Sequence, residues 1–591
     1  ALWQIPERFV AGQIGRLSGN GGVQVGEATA QAYGLVKGLR QGLKLAAQAM
    51  RTGEPSDALG KLEARRLRSI TGANLRETAG GRAIRKIAPQ ALQDGGYAAR
   101  AVDLLGEAVR IPGRFLMAED EFFKAVGYQM EVHARAFRQA TQEGLEDGPR
   151  VAARIKELID NPSETMRMSA MDAAHYQTFT NELGKTGKAV QKVVGSAPAL
   201  RFVVPFIRTP TNIIKYTFER TPLAPLSSRI QADIAAGGAA RDLALARIAT
   251  GSSLMLVAAD LTMEGHITGG GPADPALKSA MRRQGWQPYS IKIGDAYYSY
   301  SRADPMGMFL GISADVAEIV GQVDEAEAAK LVSAISIAFS QNVTSKTWLK
   351  GLFEAIEAFD NPDRFGEQFL ARFAGSLVPT GLATVERVVD PTLRETRPGA
   401  EPGVDPKARA SAAANFVRRI VNQARSRIPG YSESLPPRRN MWGDPIVLQG
   451  GLGPDIASPI YTSTAVDSPI DREIVALKVP ISMPARTIEG VELTAEECDR
   501  YVTLAGNGMK NPTTGKGLKD TLDDMARGRG PFAAAYRRAS TGPDGGKAFL
   551  IRQQVQAFRA MAQAQLKREF PDLTAAIIAQ ATARADARRP Q

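Results

Sequence analysis

The side chains that could do chemistry are few, and their spacing is poor for it. The sequence holds one cysteine, Cys498, and three histidines, His133, His175 and His266. One thiol excludes an internal disulfide framework and a cysteine-based metal cluster, and three scattered imidazoles do not make a histidine-rich metal site. Glu119, Asp120 and Glu121 form an acid cluster upstream of His133. On a helix Glu119 and His133 would stand about 21 Å apart at 1.5 Å per residue, so His133 reads as a core or interface histidine. The neighbours Asp523 and Asp524 point to different sides of a helix, whereas acid–base catalysis needs its groups converging on one substrate. The run from Gly508 to Gly517 is rich in glycine and lysine but lacks P-loop spacing. It also has glycine where a magnesium-binding Ser or Thr belongs. The glycines from Gly12 to Gly22 follow no clear strand, so they do not make a dinucleotide fingerprint. No catalytic residue, cofactor or metal is assigned.

The sequence does offer positive charge. The formal net charge is +12, which suits packaged DNA or anionic lipid headgroups. The competing reading is a soluble protein from an arginine-favouring genome. Residues 1–110 carry 16 Lys/Arg against 9 Asp/Glu, a net of +7 and over half of the excess. Its densest part runs from Lys61 through Arg65, Arg66, Arg68, Arg76, Arg82 and Arg85 to Lys86. These eight are the candidate phosphate contacts. No aromatic residue interleaves with them, so stacking on single-stranded bases is not supported. An ordinary charged helix face is the commoner explanation of such a run.

The elements that position these residues read as mainly α: a multi-bundle helical protein with one small β-hairpin and long extended proline-rich segments. Five stretches suggest themselves. Residues 1–110 are basic helices broken by glycine, among them Gly34, Gly38 and Gly42. Residues 111–265 form a helical bundle. Within it, Phe122, Phe123, Val126, Met130, His133 and Phe137 recur at helical spacing, and the acids at 119–121 sit near the helix start. Thr209-Pro210 opens a further helix, after which Pro222 and Pro225 force an extended exit. Around Leu243–Met263 the uninterrupted apolar stretch between Arg247 and Asp260 is too short to span a bilayer, and a buried bundle helix is expected.

Residues 266–390 combine a hairpin with helices. Gly269-Gly270-Gly271-Pro272 is a break, and Tyr289–Ile293 and Ala296–Ser301 are strands joined by Gly294-Asp295. Asp304-Pro305 then opens a helix. A lone hairpin is marginal in water, so this one must pack on helices as a clip. Helices are expected at 325–339, 348–359 and 365–374. Residues 391–470 are a proline-punctuated linker, a helix over 410–427, and an irregular arm from Pro429 to Pro469. The arm's apolar anchors are Trp442, Ile446, Val447 and Leu448, packing on its own helices or on a neighbouring subunit. Residues 471–591 return to helices. Thr494 caps one of them, and Ile551, Val555, Phe558, Ala562 and Leu566 stripe another.

Several phrases resemble a family of large internal virion proteins of tailed bacteriophages: ITGGGP, GWQPYSIKIG, YYSYSRADPMGMFLGI, FLMAEDEFFKAVGYQMEVHA, PFIRTPTNIIKYTFERTPLAP, NMWGDPIVLQGG and ISMPARTIEGVELTAEECDRYVTLAG. They spread from about residue 110 to 510 and carry no catalytic motif. The resemblance implies a structural protein in the virion interior near the portal, ejected with or ahead of the DNA to help it cross the host envelope. It also implies the partners: copies of itself, other internal virion proteins, the portal, packaged DNA bound non-specifically, and the host membrane during ejection. The alternative is the non-catalytic portion of a bifunctional protein whose cell-wall hydrolase domain lies outside this stretch. A chain that starts at Ala1 in mid-pattern is expected to be a fragment of a longer polypeptide.

Overall fold

A computed structural model of the chain describes residues 2–19, 22–53, 97–144, 147–184, 208–320, 389–400, 412–448 and 460–586, with single positions at 188, 337, 338, 340, 342, 386, 403 and 405. The basic run from Lys61 to Lys86 lies outside the described residues, as do the helices expected at 348–359 and 365–374 and most of 325–339. What is described is mainly α-helical with two small antiparallel sheets. It gathers into two compact units: Ala1–Val193 with Phe206–Leu254, and Val194–Pro205 with Met255–Gln591.

The first unit is built on helices α1 (Gln4–Ser18), α2 (Glu27–Thr52), α3 (Tyr97–Gln142), α4 (Gly148–Asp160), α5 (Glu164–Gln177), α6 (Arg208–Phe218), α7 (Ser228–Ala236) and the start of α8 (Gly238–Met263). Two expectations change here. Gly34, Gly38 and Gly42 do not break a helix; they lie on one face of the continuous α2. Spaced four apart, they let its backbone approach α3 closely, as small residues do where helices pack tightly. A Cβ on Gly34 would come within 2.5 Å of the Gln129 carbonyl oxygen, and one on Gly38 within 2.7 Å of the Val126 Cα. The acids at 119–121 are also not at a helix start, since α3 begins at Tyr97. Glu121 and Lys124 are buried, and Lys124 pairs with Asp120 at 2.6 Å.

Val126, Met130 and His133 are buried as their spacing requires, with His133 Nδ1 2.7 Å from the Gln129 carbonyl, whereas Phe123 stays exposed. Pro222 and Pro225 do not extend the chain. Pro222 precedes a tight 3-10 turn, Ala224–Leu226, and Pro225 lies within it, where the ring already satisfies the φ the turn needs.

Alanine-rich contacts such as Val132, Ala136, Ala140, Leu158, Met166 and Ala170 supply the apolar packing. Between them runs a buried ionic lattice. Arg8 of α1 donates to Glu27 of α2 at 2.9 Å and to Glu131 of α3, and Arg138 forks onto Glu27 with two bonds of 2.6 Å. Arg220, after α6, forks onto Glu7 at 2.6 and 3.0 Å and reaches the Tyr176 hydroxyl of α5 at 3.1 Å. Its guanidinium also lies 3.4 Å from the Tyr216 ring centre. Burial pushes the Glu131 carboxyl up, but Arg8, Arg135 and Arg138 hold it below its ordinary range. Removing one member of such a buried pair costs about 3–5 kcal/mol, because the other is left charged and dry.

Helix α8 is longer than its twelve-residue apolar stretch suggested. It is long and apolar enough by length and composition to cross a membrane, and a third of its most apolar window is buried. Ala244, Ala246, Met255 and Ala258 are buried; Leu256, Val257 and Met263 are exposed.

The second unit continues with α9 (Pro275–Arg283), strands β1 (Ser290–Ile293) and β2 (Ala296–Ser299), α10 (Met306–Val320), α11 (Ala412–Arg425), β3 (Thr462–Thr464), α12 (Pro469–Ala476), the short β4 (Thr487–Ile488) and β5 (Val491–Glu492), and then α13 (Ala495–Thr503), α14 (Leu518–Ala526), α15 (Ala533–Arg538), α16 (Gly546–Glu569) and α17 (Pro571–Asp586). The hairpin stands where the sequence puts it, with Ser290 opposite Ser299 and Gly294 at φ +60° in the turn. It is not alone. β3, from the proline-rich arm, adds antiparallel to β2, and β4–β5 make a second small hairpin.

The linker reading also changes. Residues 391–395 are held by a ladder: Leu393 N–H donates to Ile446 O, Arg438 N–H to Leu393 O, Leu448 N–H to Pro391 O and Glu395 N–H to Pro436 O. Prolines sit in this ladder where their missing donor is not needed. Thr494 caps α13 in a reciprocal capping box with Glu497, and the stripe on α16 from Ile551 to Leu566 is core, each of its five residues buried.

Candidate functional site

Two joints in the second unit hold irregular chain to helices. The first is the glycine clip. Asp315 and Glu318, three apart on α10, present their carboxylates on one face. Three successive backbone N–H groups meet them: Gly269 donates to Glu318 Oε1 at 2.8 Å, Gly270 to Asp315 Oδ1 at 2.6 Å, and Gly271 to Glu318 Oε2 at 2.9 Å. The Tyr289 hydroxyl donates to Asp315 Oδ2 at 3.3 Å. Successive N–H groups pointing one way make an anion cradle, and glycine is needed to build it. A Cβ at Gly269 would sit 2.6 Å from Asp315 Oδ1, and Gly271 has φ +75°.

The flanking chain fixes the cradle. Thr268 N–H donates to Ser290 O and the Tyr300 hydroxyl to Thr268 O, which ties the glycines to the hairpin. Burial pushes the Asp315 carboxyl up to about 7, and the neighbouring Glu318 adds to this against the Gly270 N–H, Tyr289 and Asn342. Burial raises Glu318 too, against the N–H groups of Gly269 and Gly271 and the charge of Lys278. A carboxyl tuned this far is an acid–base candidate on general grounds. Here the oxygens are already occupied by backbone donors and a phenol, which is the geometry of a clasp.

The second joint is Trp442. Its side chain is 1% exposed and packs with Met441, Ile470, Ile474, Leu522 and Phe558. Its indole N–H donates to Asp471 Oδ2 at 3.2 Å, and Arg283 grips Asp471 Oδ1 at 2.6 and 2.8 Å. Ser468 donates to the same carboxylate at 2.7 Å. Asn440 Oδ1 accepts from the N–H of Trp442 and of Asp444, shaping the turn that inserts the ring. Gly506, in the π-helical turn Leu504–Gly508 that follows α13, lets the arm's backbone come close; a Cβ there would lie 2.1 Å from Trp442 O.

The expected anchors therefore divide. Trp442 is buried in its own chain, and Ile446 is half-buried and bonded through its backbone. Val447 and Leu448 are 54% and 39% exposed, and Leu448 holds the arm through its N–H to Pro391 O and not by burial. Lys61, Arg65, Arg66, Arg68, Arg76, Arg82, Arg85 and Lys86 lie outside the described residues.

Asp523 and Asp524 do diverge: Asp523 accepts from Ile470 N–H at 2.9 Å and Asp524 from Lys516 at 2.5 Å. In the 508–517 loop, Asn511 Oδ1 accepts from Thr513 and Thr514 N–H, closing the turn on itself. Among the described residues, no three His, Cys, Asp or Glu side chains gather as a metal site. Sequence reading missed Asp315 and Glu318; the only available signal was a triple glycine, whose acidic partners lie more than forty residues away. Comparison with protein-family models, curated proteins and solved structures finds no match.

Proposed function

We propose that the chain is a structural internal virion protein of a tailed bacteriophage. In this reading it resides near the portal, leaves with or ahead of the DNA, and assists genome delivery across the host envelope. The observation that supports it is where the family-like phrases fall. ITGGGP is the cradle, YYSYSRADPMGMFLGI supplies β2 and the start of α10, NMWGDPIVLQGG carries Trp442, and the phrase from Ile481 to Gly506 holds β4–β5 and the capping box. These residues join chain segments to one another instead of converging on a substrate.

The reading assigns the chain no catalysis or cofactor. Its partners would be copies of itself, other internal virion proteins, the portal, DNA through phosphate contacts, and the host membrane on ejection. The test is quantitative mass spectrometry of purified particles before and after triggered DNA release. The protein should be present in full particles and depleted from emptied heads. Its absence from full particles, or its full retention in emptied ones, would overturn the proposal.

A further inference from the structure

One part of the first unit gathers guanidinium groups whose pairing is loose or incomplete. Arg247 on α8 has a side chain only 16% exposed, and its nearest carboxylate oxygen is Asp233 Oδ2 at 4.0 Å, too far for a hydrogen bond. Arg229 on α7 is half exposed and stands 3.5 Å from Glu219 without hydrogen-bond alignment. Arg8 on α1 is almost fully buried, and its Nε has no partner. All three line one cleft of about 220 Å³. The guanidinium carbons of Arg229 and Arg247 lie 4.9 and 5.0 Å from the centre of the Tyr176 ring, which helps hold them at its wall.

The acids that line the cleft make no ion pair with Arg229 or Arg247. Glu7 is forked by Arg220, and Glu131 is taken by Arg8 and Arg135. Asp172 sits on the exposed side. The buried Arg8 Nε is a donor left without an acceptor, and such a group needs an explanation such as a bound ion.

We propose that this cleft binds a phosphate-type oxyanion, held by Arg229 and Arg247 beside Tyr176, with Arg8 at its floor. Three guanidinium groups from three different helices suit a tetrahedral dianion, which offers acceptors in several directions, better than a planar carboxylate. The inference does not depend on the virion reading. The same chemistry is carried by free phosphate, a phospholipid headgroup or a 5′-phosphorylated nucleic acid.

The test is titration of the full chain, at matched ionic strength against chloride, with three probes. These are inorganic phosphate, phosphatidylcholine vesicles containing phosphatidic acid, and a short 5′-phosphorylated oligonucleotide. Saturable binding of at least one probe is expected, weakened roughly tenfold or more in Arg229→Gln. The probe that binds tightest identifies the source. Arg229 is half exposed but stands beside the buried Glu219, so the melting curve of Arg229→Gln is compared with the parent's, and Arg247→Gln serves as a second variant on the same check. No saturable binding of any probe, or unchanged affinity in Arg229→Gln, would overturn the proposal.

Discussion

Asp315 shows how a residue that looks ordinary in sequence acquires a specific role through its neighbours. In an unfolded chain an aspartate releases its proton near pH 3.9. In the clip it holds the proton up to about 7, because it is buried and stands beside Glu318. Between those two values the folded chain binds more protons than the unfolded chain. The stability from this group is therefore fully present below about pH 4 and is lost as pH rises through about 7.

We expect the clip to be tighter under mild acid. The urea midpoint of the protein should fall between about pH 5 and about pH 8, and Asp315→Asn should remove part of that slope. Lys278, Tyr289, Tyr300, Asn342 and Glu318 face the same site and are unchanged in the variant, so the difference isolates Asp315. Equal slopes in the two proteins would reject this account. None of it was legible in the sequence, since a triple glycine advertises a break and says nothing about which carboxylates it will receive. The same holds for Arg220 and Glu7, whose partnership spans 213 positions.

Elements were legible wherever their signal was local. Thr494 announces a helix cap, which the fold completes as a capping box with Glu497, and the stripe on α16, open in sequence between a partner seam and a core, is core. The hairpin at β1–β2 was equally plain from its turn. The third strand was not, because three residues of a proline-rich arm carry no period of their own. Helix α2 departs from its sequence pattern for a different reason: glycine every fourth residue weakens an isolated helix, and only the presence of α3 turns it into a packing face. Propensity and packing therefore make opposite predictions for Gly38→Ala. Propensity alone gives a gain of about 1 kcal/mol. The 2.7 Å approach of the new Cβ to the Val126 Cα gives a loss of about 1–3 kcal/mol, since backbone must move. We expect the loss, read as a lower denaturation midpoint. As a control, Gly148→Ala, with open space around its Cβ, should cost nothing.

At the scale of the whole chain, the proline-rich segments are the main departure from a set of bundles. Read alone, they are a linker and an arm that a neighbouring subunit could hold. In the fold they are fastened to each other by ladder hydrogen bonds, to β2 by β3, and to the helices of the second unit by Trp442. That changes what removing the indole should do. If the ring docked on a neighbour, Trp442→Ala would weaken assembly and leave the isolated chain stable. Because it fills the chain's own core and its N–H satisfies the Asp471 carboxylate, the substitution should cost the isolated protein about 3–5 kcal/mol. It also leaves Arg283 and Ser468 as the remaining partners of that acid. Hydrogen exchange should then quicken at Thr462–Thr464 and along residues 436–448, where the extended chain depends on the anchor. Replacing the exposed Val447 and Leu448 with serine should leave the denaturation midpoint within about 0.5 kcal/mol of the parent. Unchanged stability in Trp442→Ala together with lost self-association would return the tryptophan to a subunit boundary and refute its placement in the core.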